Sequence, residues 1–139
     1  MLICCVIALL FCITGNAKVP YIPKIINYSV SDYKAGNQNW AVSQGPGGKM
    51  YIGNNRGLLV FDGIHWDLVK LPNNLGVRAL YISKDGRIYV GSFEEFGYFE
   101  MDDENDLIYH SLSSSVMNVY LNNDGFCTFN VYKGEIYFQ

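Results

Sequence analysis

"KMYIGNNRGLLVFDG" (49–63) and "RIYVGSFEEFGYFEMD" (87–102) are two versions of one pattern. Each runs basic, apolar, Tyr, apolar, Gly, then a short polar stretch, a second Gly and an apolar run. Tyr51 and Tyr89 are 38 residues apart, as are Gly53 and Gly91, and the turn glycines Gly48 and Gly86. Gly57 and Gly97 are 40 apart, because "SFEEF" holds two extra residues. A fainter third version stands in "KGEIYFQ" (133–139), where Gly134 and Tyr137 keep the spacing of Gly86 and Tyr89. A repeat of about 40 residues holding four short strands is the arithmetic of a propeller blade. One such sheet cannot bury both its faces, so it stacks against its copy. A small meander or sandwich with chance similarity is the competing all-β reading.

Composition agrees with strands. Half of the 139 residues are hydrophobic and 17 % are charged, so a packed core is expected. Tyr and Phe stand beside many Val and Ile, the residues that suit a pleated half-buried surface. Runs of four to seven apolar residues alternate with Gly, Asn, Asp and Pro clusters, "GPGG" (45–48), "DG" (62–63), "KDG" (84–86) and "NNDG" (122–125) among them. Strands are predicted at 39–44, 49–53, 57–61, 65–70, 77–82, 87–92, 96–101 and 107–112, with more at 117–122, 126–132 and 135–139. Residues 39–76 then form one blade, 77–116 a second, and 117–139 part of a third. The net charge of −3 supplies no basic field for nucleic acid or an anionic membrane surface.

The first 17 residues, "MLICCVIALLFCITGNA", carry no charged side chain, and Gly15 and Ala17 close an apolar run too short to span a bilayer. That is the layout of an export signal, although its start lacks Lys or Arg. A buried N-terminal strand or helix is the alternative. Cleavage would leave Cys127 alone, in the alternating run "DGFCTFNVY", where it reads as a small core residue. Residues 18–38 form an extended lead-in with a short strand at Lys24–Tyr28.

"MYIGNNRGLLVFDG" with Trp66, and "IYVGSFEEFGYFEMD", resemble the two-component regulator propeller repeats. These occur in the N-terminal sensor regions of membrane-spanning regulators of Bacteroides-like bacteria. The lead-in "PKIINYSVSDYKAGNQNWAVSQ" is similar to the opening of such sensors, and the resemblance covers about residues 20–112. It implies an incomplete β-propeller placed in the periplasm, on the extracytoplasmic side of the inner membrane. It also implies a ligand that is a glycan breakdown product, and a full-length protein that is a homodimer. Family members continue through many more blades to a triple-tyrosine β-sandwich and a membrane helix. A helix-turn-helix or histidine kinase output follows. None of those patterns is present here, so the chain is expected to be the amino-terminal piece of a larger protein or a truncated product. Membrane attachment is expected only through the export signal or a helix further downstream.

Catalytic chemistry finds little support in the residues. "GPGGK" (45–49) lacks the spacer and the Ser or Thr of a phosphate loop, and a strand follows it. "FEMDDENDL" (99–107) has Leu107 where a calcium loop wants Gly. His65 and His110 have neither nucleophile nor metal-ligand spacing around them. No catalytic set, metal or cofactor is expected.

The remaining constellation is positional. In a blade, the loops joining second to third strands share one end with the blade-to-blade connections. Here they are Asn54-Asn55-Arg56 and Phe93-Glu94-Glu95. Amide, guanidinium, carboxylate and aromatic groups on one rim suit a polyhydroxylated ligand such as an oligosaccharide; ordinary solvated loops are the plain alternative. Glu94 and Glu95 point opposite ways on a strand, which is poor geometry for an acid/base pair, though a loop can turn either inward. Trp40 and Trp66 are expected in the core or between blades, with a stacking platform for a ligand as the alternative. The reading is a ligand-binding sensor module. A propeller-type glycan lyase or hydrolase, or a vestigial product, are its competitors.

Overall fold

The computed structural model describes residues 22–115 and 125–139. The export-signal reading of 1–17 and the strand at 117–122 lie outside the described residues. Among the described residues there are ten strands: β1 (Asn39–Gln44), β2 (Met50–Asn54), β3 (Gly57–Phe61), β4 (Trp66–Val69), β5 (Ala79–Ile82), β6 (Ile88–Gly91), β7 (Phe96–Met101), β8 (Leu107–Ser111), β9 (Phe129–Tyr132) and β10 (Glu135–Phe138). They form two four-stranded antiparallel sheets, β1-β2-β3-β4 and β5-β6-β7-β8, and a hairpin of β9 and β10. The predicted strands match these in place and order, with trimmed ends. The architecture is that of an incomplete β-propeller. No helix among the described residues is long and apolar enough to cross a membrane.

Strand alternation sorts each sheet into two faces. In the first blade, Tyr51 lies opposite Val60, and Leu58 opposite Val69, on the face toward the second blade. In the second, Ile88 lies opposite Phe99, and Leu80 opposite Val90, on the face toward the first. These side chains and Val77 form one core, in which Leu58, Val77, Val90 and Phe99 are wholly buried.

The outward faces are covered as well. Tyr33 and Ala35 pack with Ile52 and Leu59 on the first blade, beside Met50, Trp66 and Leu68. Tyr33 is held by α1 (Val30–Tyr33), one helical turn that the sequence reading missed. Its start is marked by Ser29, whose amide and hydroxyl both donate to Asp32 Oδ2, at 2.6 and 2.7 Å. Those bonds hold the Asp32 carboxyl below its usual range. The strand expected at Lys24–Tyr28 does not form: that stretch pairs with no sheet, although Tyr28 sets its ring against Phe61 and Trp66. On the second blade's outward face, Tyr81, Tyr89, Tyr98 and His110 make a cross-strand row. Phe129 and Phe138 of the hairpin meet that row at Tyr81 and Tyr89, with ring centroids 6.5 and 6.3 Å apart.

The glycines after each tyrosine have a steric reason. A Cβ on Gly53 would stand 2.8 Å from the Val77 carbonyl oxygen, and one on Gly91 2.7 Å from the Phe126 carbonyl oxygen. The connection entering the next blade crosses there, and only glycine admits it.

Cys127 corrects an expectation. It is exposed: ahead of β9, its amide and that of Thr128 donate to the Gln139 carbonyl just past the end of β10, which turns that stretch away from the core.

Truncation of Phe99 to alanine is predicted to cost about 3–5 kcal/mol of unfolding free energy in urea titrations, since it empties the shared core. Ile64→Ala, at a position 80 % exposed, changes stability by less than about 0.5 kcal/mol. Equal effects at the two sites would contradict the assignment of the core.

Candidate functional site

The β2–β3 and β6–β7 turns share one end of the sheets, the upper end. Both inter-blade connections arrive there: the Val77 amide donates to the Asn54 carbonyl, and the Phe126 amide to the Ser92 carbonyl. Asn54-Asn55-Arg56 and Phe93-Glu94-Glu95 therefore stand at one end, each beside a connection.

The individual side chains differ in what they can reach. Asn54 is wholly buried and fully engaged. Its Oδ1 accepts from the amides of Gly36 and Arg56, at 2.8 and 3.0 Å. Its Nδ2 donates to the Gly36 carbonyl and to Asn39 Oδ1, both at 2.7 Å. Asn54 thus clasps the lead-in onto the first blade. Ser92 stands 38 residues further on and does the equivalent work, donating its hydroxyl at 2.5 Å to the Gly76 carbonyl. The repeat therefore includes a polar grip on each arriving loop. The signal was present in the sequence as "IGN" and "VGS", a polar residue after each repeat glycine.

Glu95 is also committed. Its Oε1 accepts from the Tyr109 and Ser111 hydroxyls, each at 2.7 Å. Burial, then the Glu95 carboxylate, push the Tyr109 phenol well above its ordinary range, so it remains a donor. Glu94 is exposed, with a left-handed backbone at φ +51°. Phe93 is exposed, and its backbone bridges Gly125. Asn55 and Arg56 are exposed in the β2–β3 turn.

Trp40 is a correction. It is not in the core or between blades but 47 % exposed, at the start of β1. Its indole Nε1 donates to Asn55 Oδ1 at 2.7 Å, and the Arg78 guanidinium stands 5.6 Å over its ring. The bulge in β1 between Asn39 and Ala41 accounts for this, since it re-aims the side chain at the strand's entry. Alternation alone hides such a displacement. Trp66 does pack as expected, stacked on Phe61 at 4.3 Å.

The opposite end is acidic. Asp62, Asp85, Asp102 and Asp106 lie in its turns. The amides of His65 and Ile64 hold the Asp62 carboxyl down to about 2, and the Ser83 hydroxyl lowers that of Asp85. Between the blades at that end lies a pocket of about 660 Å³, lined by Lys49, Tyr51, Arg87 and Met101 among others. Arg87 is already paired with Glu100 at 3.2 Å and set over the Tyr98 ring.

Residues 70–94 match the family model described as two component regulator propeller. The match runs from the end of the first blade, through the connection, to the β6–β7 turn. No curated protein and no solved structure matches the chain. The chain thus carries a repeat of the family that its sequence resembles.

Asn54→Ala is predicted to lower stability by about 2 kcal/mol or more, because the Gly36 amide and carbonyl and the Arg56 amide lose their bonds to a buried side chain. Ser92→Ala loses one bond and costs about 1 kcal/mol. Chemical denaturation of both variants checks the order. A smaller loss at Asn54 than at Ser92 would refute the clasp.

Proposed function

We propose that this chain contributes two blades and a hairpin to the ligand-sensing propeller of a two-component or transcriptional regulator. The reading places it on the extracytoplasmic side of the inner membrane, with a glycan-derived ligand at the upper end. The observation that carries it is the family repeat over 70–94, which falls on the connection and strands that build that end. The apolar, charge-free first 17 residues support export. The exposed Asn55, Arg56 and Phe93, with Trp40 near them, support an oligosaccharide, which pairs hydroxyls with amides and guanidiniums and a ring face with an aromatic.

Binding fits this end better than turnover does. An acid/base mechanism needs carboxyl groups that face one substrate. Glu95 Oε1 already accepts from the Tyr109 and Ser111 hydroxyls, which suits a positioning role better than proton transfer. The mechanism is then a population shift: ligand that prefers one arrangement of the sensor draws the whole protein toward it. The magnitude of the response is bounded by the difference in affinity for the two arrangements.

The test is calorimetric titration of the purified chain with a panel of defined oligosaccharides, followed by chromatography of the mixtures. Saturable binding with unchanged saccharide is expected. Conversion of the saccharide, or no heat from any member of the panel, would overturn the proposal.

A further inference from the structure

Trp40, Asn55 and Arg78 form a unit that the sensing role alone does not explain. The indole of Trp40 is fixed by its bond to Asn55, yet the ring stays half exposed, and it borders an open pocket of about 350 Å³ with Val42 and Ile52. A fixed, half-exposed aromatic ring beside apolar side chains is a platform for the C–H face of a sugar ring. Arg78 lies between that ring and Gly125, where a Cβ would stand 3.2 Å from its Nη1. Among the described residues neither Arg78 nor the neighbouring Arg56 is paired with a carboxylate. A guanidinium held over an indole with no counter-ion has donors left for a planar anion.

The distribution of charge points the same way. The turns of the opposite end carry Asp62, Asp85, Asp102, Asp103, Glu104 and Asp106 against Lys49, Lys84 and Arg87, while at the upper end Arg56 and Arg78 stand with Glu94 and Glu95. That excess of acid disfavours an anion at the opposite end.

We propose that the upper end carries a subsite for an acidic saccharide, in which Trp40 stacks on the sugar ring, Asn55 positions the indole and Arg78 receives the sugar's carboxylate. This rests on the saccharide-sensing reading above and deepens it: uronate-containing oligosaccharides are preferred over neutral ones of the same size.

The experiment uses the chain with Trp66→Phe, which leaves Trp40 as the one indole of the two in the sequence. Its fluorescence is titrated with digalacturonate, with the neutral disaccharide galactobiose, and with sodium sulfate. Digalacturonate is expected to quench or shift Trp40 emission with an affinity about tenfold or more above that of galactobiose. Arg78→Gln should remove that preference and leave galactobiose unchanged. Trp40→Ala, followed by calorimetry, should weaken both sugars, with circular dichroism confirming the fold. Equal affinity for the two sugars would overturn this inference and leave the saccharide-sensing reading standing. Sulfate binding as tight as that of digalacturonate would make this a simple anion site and overturn it too. No response to either sugar, by fluorescence or heat, would overturn the subsite, while the sensing reading falls only if the whole oligosaccharide panel is silent.

Discussion

A sheet with apolar side chains on both faces cannot be stable alone, and this chain meets that constraint by layering. The lead-in covers one face of the first blade, the second blade covers the other, and the hairpin covers what remains. Every other feature follows from how closely those layers approach. Phe99 and Leu58 reach full burial only because each belongs to a different sheet facing the same core. Exclusion of water from such surfaces is the main favourable term in folding, and it is shared here across blades.

Close layering restricts the connections. Each chain segment leaving a blade passes against an inner strand of that same blade, at Val77 and at Phe126. Gly53 and Gly91 make room, while Asn54 and Ser92 grip the loops that arrive before their own blades. Those loops bring polar backbone groups toward the interior, and a buried carbonyl or amide without a partner costs about 1–3 kcal/mol. The clasp answers that cost with side chains in place of water. It also fixes the upper end, so that Asn55 and Trp40 are presented on a rigid frame.

Much of this was legible in the sequence. The 38-residue spacing of Tyr51 and Tyr89 located both blades, because strand alternation and turn glycines are local signals that survive repetition. The upper-end loops were also found by counting strands. What was hidden depends on contacts distant in sequence. Asn54 looked like a free amide in a polar turn, and only the position of Gly36 shows that it is taken. Trp40 looked like core because its exposure follows from a bulge, which period-two reading does not register. Cys127 sat in an alternating run, but its backbone bonds to Gln139 at the base of the hairpin turn it outward. The single turn of α1 was missed because four residues carry no period.

The layers are held to be one cooperative body in which both blades depend on the core they share. Native-state amide hydrogen exchange across a series of low urea concentrations measures this most directly. If the shared core governs folding, the slowest amides of β2 and β3 and those of β6 and β7 open with the same free energy and the same urea dependence. Two separate opening energies, with one blade still protected after the other has exchanged, would contradict it.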